Sequence, residues 1–94
     1  MLIQRREKDN KGMFYVEIDG EVQAEMTYHM TSPDKMIIEH TEVDDKLRGH
    51  NGGYQLVEAA VNYAREHNIK IIAWCPFAKK VFEKKPAWSD VLDT

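Results

Sequence analysis

The segment that most constrains this chain is "KMIIEHTEVDDKLRGHNGGYQLVEAAVNYAREHN", Lys35 to Asn68, a strand followed by a glycine turn and a helix. Lys35 to Val43 read as the strand. Leu56, Val57, Ala60, Val61 and Ala64 then recur at helical spacing on one face, with Gln55, Glu58, Asn62, Arg65 and Glu66 opposite. Asn68 stands where a left-handed residue would stop the helix. Next, "IKIIAWC" is a near-continuous apolar run, the pattern of a strand covered on both faces. Strands flanking a helix in this way should be parallel neighbours. Such a unit collects ligands at the carboxyl ends of its strands. The turn Arg48–Gly53 and the lone cysteine, Cys75, both fall there.

The remaining chain supplies antiparallel partners. "GMFYVEIDGEVQAEMTYHM" reads as a hairpin turning at Asp19-Gly20, and "TSPD" separates it from the Lys35 strand. Pro76 is pre-shaped to open a second helix through Phe77, Val81 and Phe82. Trp88 and Val91 look like a tail packed on the core. The expected order is strand, strand, strand, helix, strand, helix. This is an α/β (α+β) fold: a mixed sheet with antiparallel amino-terminal strands and a parallel βαβ unit, in one domain over residues 1–94. The net charge of −3 argues against a general binder of nucleic acid or anionic membrane. The polar start "MLIQRREKDNKG" is no signal peptide, no apolar run could span a bilayer, and a single cysteine suits a reducing compartment. A cytoplasmic protein is expected, a monomer or weak dimer. Scattered histidines with one cysteine make a poor zinc site, so no metal is expected.

Free N–H groups at a helix amino terminus, with the positive end of its dipole, suit a phosphate or pyrophosphate. Glycines let such a ligand approach the backbone, Arg48 adds charge, and Asn51 tolerates left-handed geometry. Alternatively, the glycines serve only tight packing. No Lys-Ser/Thr follows Gly53, so this is not a P-loop, and Asn51 breaks a dinucleotide fingerprint. Cys75 could be a small buried hydrophobe. However, Pro76 places it at a helix amino end, where thiol pKa falls. Strand alternation puts His40 on the same face as Ile38, pointing inward, as a nucleophile–base pair with Cys75 requires.

The run from His40 through "CPF" resembles the small members of the GCN5-related N-acetyltransferases, and more narrowly a short single-domain subgroup labelled YidJ-like. The superfamily's acetyl-CoA motif, [RQ]-x-x-G-x-[GA], corresponds to Arg48, Asn51 and Gly53, with Asn51 in place of glycine. His40-Thr41-Glu42-Val43, Cys75-Pro76-Phe77, and the closing Lys85, Pro86, Trp88 and Asp90 match further subgroup patterns. Lys85 stands where histidine is common and Trp74 where proline is frequent. The resemblance implies acetyl transfer from acetyl-CoA to an amine acceptor that the sequence does not identify. It places the cofactor against Val43, Arg48, Gly49, His50, Asn51, Gly52, Gly53, Phe77 and Lys80. Lys79, Lys80, Lys84 and Lys85 form a basic cluster, either a solvated helix face or a seat for the 3′-phosphate of coenzyme A. His50 can instead be a solvated loop residue, His29 a surface one and His67 a structural one near a helix end.

Cys75, His40 and Glu42 are the catalytic candidates. One mechanism passes the acetyl group through acetyl-Cys75 with His40 as base. The other is direct attack by the amine, with His40 or Glu42 taking its proton and Cys75 only lining the thiol pocket. The chain is short and lacks the amino-terminal helices usual in the superfamily. It could therefore be a non-catalytic coenzyme A-binding or sensing module, or an interaction domain or thiol sensor.

Overall fold

A computed structural model describes residues 1–93. Five strands form one sheet in chain order: β1 (Gln4–Lys8), β2 (Lys11–Ile18), β3 (Glu21–Ser32), β4 (Lys35–Val43) and β5 (Lys70–Ala73). Successive strands from β1 to β4 pair antiparallel, and β4 pairs with β5 in parallel. Helices α1 (Asp45–Arg48) and α2 (Gly52–His67) connect β4 to β5, and α3 (Pro76–Lys84) and a 3-10 segment (Pro86–Val91) follow. This is the mixed sheet with a parallel βαβ unit that the sequence implies.

Three local expectations need correction. First, the amino-terminal segment is not strandless: β1 is a fifth, edge strand, hidden in the sequence because "QRREK" has no apolar alternation. Tyr28 holds it down. Arg5 Nη1 donates to the Tyr28 hydroxyl at 2.8 Å, and that hydroxyl donates to Glu7 Oε1 at 2.8 Å. Gly12 leaves room for the phenol, since a Cβ there would sit 2.5 Å from the Tyr28 oxygen. Second, β4 does not run directly into the glycine turn. Asp44 caps α1, its carboxylate accepting from the Lys46 N–H at 2.9 Å, and Leu47 is buried beneath it. Third, β5 is a four-residue edge strand with Ile71 buried and Ile72 only half-buried, not a strand covered on both faces.

The helices share one face of the sheet. Phe14, Val16, Ala24, Met26, Tyr28, Met36, Ile38 and Ile71 form the sheet's side of a single core. All five apolar positions counted along α2 are buried against it, as are Ala78, Val81 and Phe82 of α3 and Val91 of the tail. The Tyr63 ring of α2 lies edge-on to Phe14 at 5.9 Å, and Tyr54 meets Phe77 of α3 at 6.2 Å. The α2 helix stops at Asn68, which is left-handed (φ 55°) as expected. The other face carries Met13, Tyr15, Thr27, His29 and Ile72, all half-buried, with no helix over them among the described residues.

Candidate active site

The site begins where two strands separate. Pairing of β4 with β5 runs from Lys35↔Lys70 to Ile38↔Ala73 and ends there. The Ile38 carbonyl then accepts from the N–H groups of both Trp74 (3.0 Å) and Cys75 (3.2 Å), and the chain turns away into α3. From Glu39 to Val43, β4 continues against β3 alone.

A β-bulge lies at the same place. Thr27 pairs with His40 but Tyr28 pairs with Ile38, so Glu39 is an unpaired extra residue. A bulge of this kind reverses which residues face the core. Ile38, Thr41 and Val43 therefore share the helix side, where Thr41 pairs with buried Met26 and Val43 with buried Ala24. His40 and Glu42 lie on the open side and bond to each other, His40 Nε2 to Glu42 Oε1 at 3.0 Å. The expectation that His40 points inward with Ile38 toward Cys75 is thus overturned, because simple alternation does not survive the inserted residue.

On the helix side, Thr41, Val43, Arg48, Asn51, Gly53, Tyr54 and Phe77 line a cleft of about 420 Å³. Five of these are cofactor positions implied by the sequence. Thr41 and Tyr54 are additions. Asn51 is left-handed (φ 58°) and precedes α2, so it substitutes for glycine at a position whose backbone excludes most side chains. The N–H groups of Gly52, Gly53 and Tyr54 have neither a capping side chain nor a backbone acceptor among the described residues. Together with the helix dipole they form a donor set suited to an anion. Gly52 and Gly53 also have packing reasons to be glycine. A Cβ on Gly52 would meet the Leu47 carbonyl at 3.2 Å, and one on Gly53 would meet Phe77 Cζ at 2.4 Å. Gly49, by contrast, has open space beside it. Arg48 is exposed and reaches back to Asp45 Oδ1 at 2.9 Å. His50 is an exposed turn residue whose carbonyl accepts from Gln55 Nε2 at 2.9 Å. Lys80 is exposed on α3 and does not line this cleft.

Cys75 is the residue before Pro76, at the amino end of α3, and is 6% exposed. Its thiol donates to Thr41 Oγ1 at 3.4 Å. Burial pushes the thiol pKa up, but the opposing contacts win. The Thr41 hydroxyl, the Ala78 and Phe77 N–H groups at the start of α3, and the Thr41 backbone together hold it below that of an ordinary cysteine. The amino-end effect expected from Pro76 is present, with Thr41 rather than His40 as the side chain facing the sulfur.

Residues 13–91 match the model of a family described as GCN5-related N-acetyl-transferase, and the chain belongs to that family. The chain is similar to a Staphylococcus aureus protein of known solution structure, provisionally named a GCN5-like N-acetyltransferase. The two share 38% identity over 96% of this chain and 87% of that one, with a TM-score of 0.73. The fold is also that of the crystal structure of ribosomal-protein-alanine N-acetyltransferase from Brucella melitensis biovar Abortus 2308. There the identity is 16% and the TM-score 0.67, over 82% of this chain and 62% of that one. No curated protein matches the chain. Its family makes the protein an acetyltransferase, acting by acyl transfer to an amine. No helix among the described residues is long and apolar enough to cross a membrane.

Proposed function

We propose that the protein binds acetyl-CoA on the helix side of the sheet and passes the acetyl group directly to an amine arriving from the open side. The pyrophosphate is held by the Gly52, Gly53 and Tyr54 N–H groups, with Arg48 adding charge, and the pantetheine arm runs along Val43 and Thr41 into the parting of β4 and β5. The amine nitrogen attacks the thioester carbonyl while His40, oriented by Glu42, takes its proton. The C–S bond breaks, and coenzyme A leaves as a thiolate beside Cys75 and Thr41, taking a proton from water on release, while His40 returns its proton to solvent on the open side. The observation that carries this reading is the coincidence of bulge and parting at Ile38–Glu39. The bare N–H groups at the start of α2 on one side of the opening and the His40–Glu42 pair on the other support it. A cytoplasmic monomer or weak dimer fits such a site.

A second reading has Cys75 itself as the acetyl carrier, favoured by its lowered thiol pKa. On that route the amine attacks acetyl-Cys75, and His40 on the opposite face is not positioned to activate the thiol.

The test is turnover of acetyl-CoA against a panel of primary amines, with amide shifts followed during acetyl-CoA titration. Gly52, Gly53, Tyr54 and Val43 should shift together and saturate. His40→Gln should lower kcat by about 10²–10³-fold with acetyl-CoA affinity unchanged. Cys75→Ala should keep most of its activity, and loss of turnover in that variant would favour the acetyl-cysteine route. Binding without turnover on any amine would favour a sensing module. Silent amides at millimolar acetyl-CoA would remove the reading altogether.

A further inference from the structure

The open face of the sheet is not uniform around His40. Residues 21–27 and 39–43, the parts of β3 and β4 that surround it, carry the carboxylates of Glu21, Glu25, Glu39 and Glu42 and no lysine or arginine. Glu25 and Glu42 are direct partners across the two strands, next to the Thr27–His40 pair. Like charges set opposite each other in this way repel. Glu42 bonds to His40, but Glu25 makes no ion pair among the described residues. Arg6, on the same face, is stacked on the Tyr15 ring instead, 4.8 Å from its centre. On the β5 side of His40 stands Trp74, whose N–H donates to the Ile38 carbonyl at the parting of the strands. Its neighbours Ala73 and Cys75 both pack on the core, so its ring is turned away from the helices and is 61% exposed. A cavity of about 420 Å³, walled by Val22, Gln23, Glu42 and Asp44, runs on from Glu42 and meets the cofactor cleft at Thr41, Val43 and Arg48.

Resting on the amine-transfer reading above, we infer that this face selects an aliphatic amine carrying a second ammonium group. The reacting nitrogen sits at His40, the second charge is held between Glu25 and Glu42, and Trp74 flanks the entrance. Glu25 lies two residues along and one strand across from His40, roughly 8 Å away by strand geometry. A chain of about five methylene groups bridges a comparable span. A neutral chain end at that place leaves the two carboxylates facing each other, whereas an ammonium group relieves their repulsion. An anionic acceptor is turned away by the same pair. Trp74 offers an incoming cation the face of an indole ring, which attracts it, and offers the methylene chain an apolar surface. Arg48 does not oppose this, because its guanidinium is drawn back to Asp45 Oδ1 at 2.9 Å. A free diamine and a lysine lying near a second lysine in an extended segment share this chemistry.

The test compares turnover of acetyl-CoA with 1-aminopentane and with 1,5-diaminopentane, which differ by one ammonium group. A second pair sets the blocked peptide Gly-Lys-Gly-Lys-Gly against Gly-Lys-Gly-Gly-Gly. The dicationic member should show a kcat/KM roughly five- to tenfold higher, beyond the factor of two that a second reactive amine supplies. That preference should shrink as salt rises. Glu25→Gln keeps the side-chain shape and removes the repulsion from Glu42. It should be no less stable to denaturant than the parent, and it should bring the two rates of the pair together. Trp74→Ala should raise the KM of the favoured acceptor several-fold. A preference confined to the free amines makes the acceptor a small diamine, and one confined to the peptides makes it a lysine in a basic segment; both support the proposal. Equal rates within both pairs, or a preference that Glu25→Gln leaves intact, would overturn it while amine transfer stands. No turnover of any amine, in protein whose Gly52, Gly53 and Tyr54 amides respond to acetyl-CoA, would overturn both readings together.

Discussion

Thr41 Oγ1 lies 3.4 Å from the Cys75 sulfur, and its hydroxyl can rotate to donate once the thiol has lost its proton. With the Ala78 and Phe77 N–H groups it favours the thiolate against the opposing effect of burial. The folded protein thus releases this proton more readily than the unfolded chain. The stability so gained is complete above the ordinary thiol pKa and is lost as pH falls through the lower folded value. The rate of Cys75 alkylation, followed against pH, should have its midpoint below that of a free cysteine. Thr41→Val should move the midpoint upward, and an unmoved midpoint would show that the backbone N–H groups suffice. At this scale the cysteine was legible and its partner was not. Proline at the next position announced a helix amino end, whereas nothing in "IIEHTEV" marks Glu39 as the extra residue. A bulge needs no glycine or proline to form, so period-two alternation alone puts His40 on the wrong face.

Periodicity and punctuation agree at the scale of the helices: Leu56 to Ala64 mark α2, Asn68 its end, and Pro76 the start of α3. Asn51 carries the most stringent backbone requirement of the glycine turn. Asn51→Gly should leave stability nearly unchanged, whereas Asn51→Ala should cost about 1–2 kcal/mol because a Cβ without a polar group is poorly tolerated in the left-handed region. Denaturant unfolding would measure both, and equal stabilities would show that the turn relaxes. Strand β1 owes its place to a tertiary contact rather than to its own pattern. Burial raises the Tyr28 phenol pKa to about 12, the Arg5 bond lowers it and the Glu7 bond raises it. A phenol proton held more tightly when folded stabilises fully below the ordinary tyrosine pKa near 10, and that contribution is lost as pH rises through about 12. One of the four tyrosines should therefore ionise late in an ultraviolet titration, together with loss of native structure. Tyr28→Phe should abolish the late transition and cost about 1–3 kcal/mol, since hydrogen bonds to charged partners are lost.

The described residues form two layers, with their helices on one side of the sheet and none on the other. The sequence did not convey that asymmetry, since the apolar run "IKIIAWC" reads as a strand covered on both faces, nor did it convey that the proposed base would lie on the bare side and the thiol on the covered one. If cofactor and amine meet through the opening from opposite sides, both must be bound at once. Initial rates at varied acetyl-CoA and amine should then give intersecting double-reciprocal lines. Parallel lines, the pattern of a carrier enzyme, would instead support acetyl-Cys75. The bulge at Glu39 is what makes the opening two-sided. A pleated strand behaves as a wave whose crests alternate between the two surfaces, and Glu39 inserts half a wavelength. Beyond it, odd-numbered residues serve the helices and even-numbered ones the solvent, the reverse of the segment before it. Sidedness here is stored in a residue count, which substitutions leave intact. Losing or gaining a single residue in this stretch would exchange the surfaces of base and cleft lining at a stroke.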